Sequence, residues 1–464
     1  MKVRHFGNTA NNAFHNVQLL QRYAGIESEL PFRMFGVEHA ISAPAWDGVD
    51  FEVPDAAWVQ DPDWSISPEA VEINRRYSDL PEPAERSIAT DDDVATTAPH
   101  PSLSSRVDAL LGARGRQAKL DLYYRQMLAR RPTLDEPDDV VNVIYGSSSQ
   151  FEMRIPSSAR RVVCLEHGTV RWIGEGGRET RELQRAYRQQ LKQAAIVWVT
   201  NLDLRTIELA EDVIPGRWAA LPHPFMPDAR VPFAGRAAHR RSLLEQTDSE
   251  RLILLPASQN WSPEHDKGSI KALNAFIALR RAGHAVGLVA AEWGLQVEES
   301  KRLFADAGVA QHVHWVAPMG RWALQRMMAD VDVVWDQFGI DVFGALALRT
   351  LEQGTPLVSR GLTESGWRLM GEQVPWRRAA TADEIVQATA TVFTEMAECG
   401  REQVIERERQ VYRAWLLVRH SPEITAELQR GVYAGLHAAR YVHGEMPTDA
   451  WARLVATRSA EVQV

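Results

Sequence analysis

Residues 331–358 open with Val331-Asp332-Val333-Val334-Trp335. They continue as Asp336-Gln337-Phe338-Gly339-Ile340-Asp341-Val342-Phe343-Gly344, and after Ala345 to Gln353 comes Gly354-Thr355-Pro356-Leu357-Val358. The apolar run predicts a buried strand, and the glycines allow a sharp turn into a helix. Gly354-Thr355-Pro356 ends that helix and starts the next strand. Strand, turn, helix and strand in this order make a parallel βαβ unit, and the helix N-terminus is placed to meet a diphosphate. The same residues also fit an ordinary crossover punctuated by glycine, and local physics alone does not separate the two readings.

The same pattern extends through the 464 residues. Residues 2–6 predict a strand, Gly7-Asn8-Thr9-Ala10-Asn11-Asn12 a small-residue turn, and the apolar spacing up to Gly25 a helix. Further buried strands are expected at 140–145, 162–165, 196–200, 252–255, 286–290 and 313–316. Helix-length segments separate most of them, which points to an α/β protein. Three prolines in residues 221–227 mark a stiff crossover. The expected division is therefore 1–227, 228–440 and a C-terminal helical segment 441–464. Residues 79–105, rich in Asp, Pro, Ser and Thr, are expected to form a mobile insertion.

Composition excludes some classes. With 52 Lys and Arg against 61 Asp and Glu, the formal charge is −9, unlike a protein that coats nucleic acid. Two cysteines, Cys164 and Cys399, are too few for a disulfide framework or a four-cysteine zinc site. No apolar leader or run of about 18 apolar residues occurs, so the expected location is cytoplasmic. Fifteen Trp exceed nine Tyr, and Trp both fills cores and stacks on sugar faces.

The 336–358 segment resembles the donor-binding signature of family-4-like bacterial glycosyltransferases of GT-B fold. The opening Gly7-Asn8 turn and Glu166-His167-Gly168-Thr169 resemble further elements of that family. So do Ser258-Gln259 after the strand at 252–255 and the His265-Asp266-Lys267-Gly268 element. The resemblance implies two Rossmann-like doubly wound domains facing across a cleft, the first binding acceptor and the second the nucleotide-sugar donor, with the 441–464 segment able to return to the first as in relatives. It implies sugar transfer, with retention of configuration, from a nucleotide-sugar donor to a glycan, lipid-linked or small-molecule acceptor. No metal or other cofactor is implied, because Lys267 and helix N-termini neutralise the departing diphosphate. The residues so implied in catalysis are His167, Lys267 and Asp341. Those implied in donor binding are Gly7, Asn8, Ser258, Gln259, Lys267, Asp336, Gln337, Phe343, Gly344 and Arg349.

Two positions depart from the family. An arginine usual near Ser258 or Gln259 is missing, and a ribose-binding glutamate aligns with Arg349, which has donors only. Either the ribose is held differently, or Arg349 meets a negative group on the donor, or the protein is an inactive relative. Alternative functions are therefore an epimerase or phosphorylase of the same fold, a catalytically inactive binding subunit, and a nucleic-acid glycosyltransferase.

A second pattern needs no family. Arg178, Arg181, Arg185, Arg188 and Lys192 recur at helical spacing and form one basic stripe. It is either a solvated face or a landing strip for anionic lipid head groups or a phosphorylated acceptor. The second reading places the protein peripherally at the inner membrane face.

Overall fold

A computed structural model describes residues 1–8, 11–32, 40, 43–55, 57–59, 62–77, 126, 128–129, 133–134, 137–146, 153–166, 181–227, 236–261, 267–371, 373–438 and 447–462. The insertion expected at 79–105, His167 and Arg178 lie outside them.

Among the described residues two six-stranded sheets form, both parallel throughout. The first contains β1 (Lys2–Phe6), β2 (Glu27–Phe32), β3 (Val140–Tyr145), β4 (Val162–Glu166), β5 (Ile196–Val199) and β6 (Trp218–Ala220), in the order β2-β1-β3-β4-β5-β6. The second contains β7 (Arg251–Leu255), β8 (Val286–Ala291), β9 (Val313–Val316), β10 (Val333–Trp335), β11 (Leu357–Ser359) and β12 (Arg377–Arg378), in the order β12-β11-β10-β7-β8-β9. Every residue of β3 and of β8 is buried, as expected of strands covered on both faces. The changeover between sheets falls across the proline-rich 221–227 crossover.

The first half carries α1 (Asn12–Leu19), α2 (Pro44–Gly48), α3 (Pro68–Arg76), α4 (Arg181–Gln193) and α5 (Leu204–Val213). The second carries α6 (Arg236–Gln246), α7 (Ser269–Arg281), α8 (Val297–Asp306), α9 (Arg321–Asp330), α10 (Ala345–Gln353), α11 (Glu364–Met370), α12 (Ala382–Cys399) and α13 (Arg401–Arg419). After α13 come α14 (Pro422–His437) and α15 (Ala450–Val462). None of the described helices is long and apolar enough to cross a membrane.

The chain returns to the first half earlier than the 441–464 segment expected from sequence. Ser421 caps α14, Pro422 sits at its start, and Ala426, Val432, Tyr433 and Leu436 join the apolar cluster of Val3, Val17 and Val143. Gln429 Nε2 donates to Asn16 Oδ1 at 2.8 Å, and Tyr433 Oη donates to Gln429 Oε1 at 2.9 Å. α14 therefore completes the first half, and α15 packs beside it, bridging β6 and α11.

The tryptophans mostly fill cores. Trp198, Trp218, Trp335 and Trp451 are fully buried. Trp58 and Trp64 meet edge to face at 5.0 Å, and Phe51 joins Trp64 at 5.3 Å. At the hinge, Phe343, Trp376, Trp415, His420 and Trp451 form a continuous ring cluster, with His223 of the crossover against Phe343.

This cluster carries a pH dependence. Neither ring nitrogen of His420 has a hydrogen-bond partner. Burial holds its pKa well below the usual value, helped by the nearby His223 and Arg419. Burial likewise pushes His223 down to about 4 and His5, deep in the first sheet, to about 3. As pH falls below the unfolded value of 6.5, the unfolded chain takes up protons that the folded one refuses, so stability falls. At pH 5 His223 and His5 should each cost about 2 kcal/mol. His420→Phe removes two orphan polar atoms from an aromatic cage. In urea unfolding the variant should lose less stability than wild type between pH 7 and pH 5. Parallel pH profiles would contradict this assignment.

Candidate functional site

In the second sheet β7 and β10 lie side by side, yet their onward connections run to opposite edges. Such a switch point leaves a crevice outside the carboxyl ends of the two strands. Pro256-Ala257-Ser258-Gln259 leaves β7 there, and Asp336-Gln337 leaves β10. The Lys267 carbonyl joins the two loops by accepting the N–H groups of Phe338 at 2.6 Å and Gly339 at 2.9 Å. Gly268 makes this approach possible: at φ +84° a Cβ would stand 2.5 Å from the Gly339 nitrogen. Ser269 Oγ donates to the Ser258 carbonyl at 2.7 Å, and Lys271 Nζ donates to the Phe338 carbonyl at 3.1 Å.

Above this frame Lys267 is exposed, and Asp336 is buried directly after its strand. Burial raises the Asp336 carboxyl from 3.8 to about 6, against the opposing pull of the Lys267 charge and the Gln337 amide. α10 starts at Gly344 with no side-chain cap, so its first-turn amides are not satisfied by a capping side chain. A helix start of this kind favours an anion. Between strand and helix, Arg360 clamps the loop. Its Nη1 donates to the Gly339 carbonyl at 3.0 Å, its backbone N–H to the Gln337 carbonyl at 3.1 Å, and its guanidinium pairs with Asp341.

Other residues expected to bind donor serve mainly to build the turns. Ser258 Oγ accepts from Asn260 Nδ2 at 3.2 Å. Gln259 is wholly buried, with Nε2 donating to the Ala257 carbonyl at 3.2 Å and Oε1 accepting from Ser300 Oγ at 3.3 Å. Gln337 Nε2 donates to the Val342 carbonyl at 2.6 Å. Phe343 turns into the hinge cluster.

In the first half Gly7 and Asn8 follow β1, next to the β1/β3 switch point. Asn8 is buried, and its Oδ1 accepts the Phe14 N–H at 2.9 Å while Nδ2 donates to Asn11 Oδ1 at 2.8 Å. Asn11, at the N-cap of α1, and His15, within it, both reach Asp47 Oδ2 at 3.0 Å. From the other half Arg349 Nη2 donates to Asp47 Oδ1 at 3.1 Å. The anion that Arg349 meets is therefore a side chain of this same protein. Burial would raise the Asp47 carboxyl, but Arg349 and His15 hold it well below the usual range. Burial lowers the His15 imidazole more than Asp47 raises it. Sequence reading missed Asp47 and His15. The i, i+4 pairing of Asn11 with His15 was the one available signal.

The basic stripe is partly described. Arg181 opens α4, Tyr187 and Leu191 bury its inner face, and Arg185 and Lys192 are exposed. Gln184, Arg185, Arg188, Gln189 and Lys192 line one open groove. Arg188 pairs with Asp212 at 2.7 Å.

No protein-family profile and no curated protein matches the chain. Solved structures do. HepE from Anabaena, crystallised in complex with UDP and glucose, superposes with a TM-score of 0.54 at 11% identity, over 94% of this chain and 100% of that one. A glycosyltransferase from Rickettsia africae gives 0.50 at 8% identity, over 94% and 98%. At such identities the likeness shows the fold, which is GT-B with two Rossmann-like halves.

Asp336 offers a direct test of the site's electrostatics. A carboxyl whose folded pKa is raised contributes stability below its unfolded pKa and loses it as pH climbs past about 6. The gap from 3.8 to about 6 corresponds to roughly 3 kcal/mol. Asp336→Asn should therefore gain up to about 3 kcal/mol on wild type between pH 4 and pH 8 in chemical denaturation. A gain of the opposite sign would show that Asp336 is better paired than its burial suggests.

Proposed function

We propose that this protein is a glycosyltransferase that moves a sugar from a nucleotide-sugar donor to a glycan, lipid-linked or small-molecule acceptor. One observation carries the reading. At the β7/β10 switch point of a GT-B fold the exposed Lys267 acts on the buried Asp336, and the loop after Asp336 runs into the uncapped start of α10. The donor's anomeric C–O bond to the diphosphate breaks, and the acceptor oxygen bonds the anomeric carbon. The acceptor's proton leaves on the departing phosphate, with retention of configuration. Lys267 and the α10 amides supply the positive field for that leaving group, without a metal.

The decisive experiment is donor hydrolysis and thermal shift against a panel of nucleotide sugars, since a ligand that binds only the folded state raises its stability. Lys267→Ala should lower turnover about 10²-fold or more, the scale of one lost charge partner in the transition state. Its melting temperature should fall modestly at most at neutral pH, because the residue is exposed but its charge opposes the burial of Asp336. Chelator should leave turnover unchanged, and the anomeric proton resonance of the product reports retention. Full activity in Lys267→Ala would overturn the assignment.

The proposal extends to place and acceptor. The protein would work in the cytoplasm, with the α4 groove at an anionic membrane surface. Each engaged cation there contributes on the order of 1 kcal/mol. Arg185→Gln with Lys192→Gln should reduce cosedimentation with anionic vesicles at low salt and leave donor hydrolysis unchanged. Wild-type protein that ignores such vesicles would reduce the stripe to a solvated helix face.

A further inference from the structure

The two halves meet through contacts of two kinds. On the hinge side the contact is apolar and aromatic: Phe343, Trp376 and Trp415 of the second half pack with His420, Trp451 and the crossover residue His223. Such contacts have little directional preference and tolerate small rotations. A second set of contacts, reached from α2 and the crossover, includes directional pairs. Arg349 pairs with Asp47, their side chains only 9% and 10% exposed. Arg326 pairs with the more exposed Asp50, and Arg321 Nη2 donates to the Met226 carbonyl at 2.8 Å.

We propose that Asp47 is an interdomain positioning residue: fixed in the first half by Asn11 and His15, it holds α10 in place through Arg349. The carboxylate is the meeting point of two candidate ligand loops. Asn11 and His15 follow the Gly7-Asn8 turn directly, and Arg349 lies one turn and a half into the helix that starts at Gly344. A buried ion pair loses its worth when the partners separate, because each charge is then left without compensation. The exposed Arg326–Asp50 pair cannot do the same work, since solvent screens it. A directional, buried link added to a non-directional apolar contact is an arrangement that selects one angle between the halves.

The test reads that angle. Nitroxide labels go on the native exposed Cys399 and on Ser157→Cys, one in each half, while Cys164 is buried. Pulsed electron spectroscopy should give one narrow distance in the otherwise wild-type protein. Asp47→Asn keeps one acceptor for Asn11 and His15 but turns an N–H towards Arg349. It and Arg349→Met should each raise a second, longer distance population by about tenfold, and the double variant should add nothing further. If the methionine variant fails to fold, Arg349→Lys serves, keeping charge and bulk without the fork geometry. Unchanged distance distributions in Asp47→Asn would overturn the proposal.

A kinetic arm rests on the transfer reading. With a nucleotide sugar that wild type hydrolyses, Asp47→Asn should raise KM about tenfold and leave kcat within about twofold, because saturating donor reselects the closed form. A fall in kcat at unchanged KM would also overturn the positioning role. Absence of turnover with every nucleotide sugar in wild type sinks the transfer reading instead, and the distance measurement still decides the role of Asp47.

Discussion

The parallel pairing of β7 with β10 is the constraint on which the candidate site depends. Val333 sits opposite Ile253 and Val334 opposite Leu254, so both strands end at the same level. Their onward loops then have one crevice to share. The Lys267 carbonyl binds the Phe338 and Gly339 amides across it. Everything proposed for the second half follows from that seam: where Lys267 stands, why Asp336 is buried beside it, and where α10 starts. Moving β10 along β7 by one residue would turn its side chains to the other face and separate the loops.

The first half supplies a different kind of support. Its α1 is buried on nearly every side, and its polar residues turn inward to build a network. Asn8 caps, Asn11 and His15 fix Asp47, and Asn16 receives Gln429 from α14. One short helix thus ties the glycine turn to the domain interface and to the segment that crosses back at Pro422. Polar residues buried in this way cost stability unless each finds a partner, and those contacts then specify a single arrangement.

Much of the fold was legible because parallel strands in an α/β protein are continuous apolar runs bounded by glycine and proline. The runs at 140–145, 286–290 and 313–316 each contain a strand. β2 escaped because Glu27 and Glu29 lie on it; Glu29 pairs with Lys2 and Arg4 of β1, and the largely exposed Glu27 with Lys2. β6 and β12 are too short to give a period. The return to the first half begins earlier than 441–464, within one nearly continuous helical stretch from α13 to α14. His420-Ser421-Pro422 breaks it, and only packing shows that the second helix has changed sides.

The candidate site was legible as segments and illegible as pairings. Ser258, Gln259, Gln337 and Phe343 all fall at or next to the switch point, but what each touches depends on residues far away in the chain. Arg349 shows the difference most clearly. Read along the chain, an arginine in place of an acidic group is a loss of a hydrogen-bond acceptor. In the structure it is a buried cation that would be intolerable alone, and the opposite half provides Asp47 to meet it. The acidic partner is not a neighbour in the chain. It arrives from another strand-to-helix segment, 302 residues away, and in arriving joins the two halves.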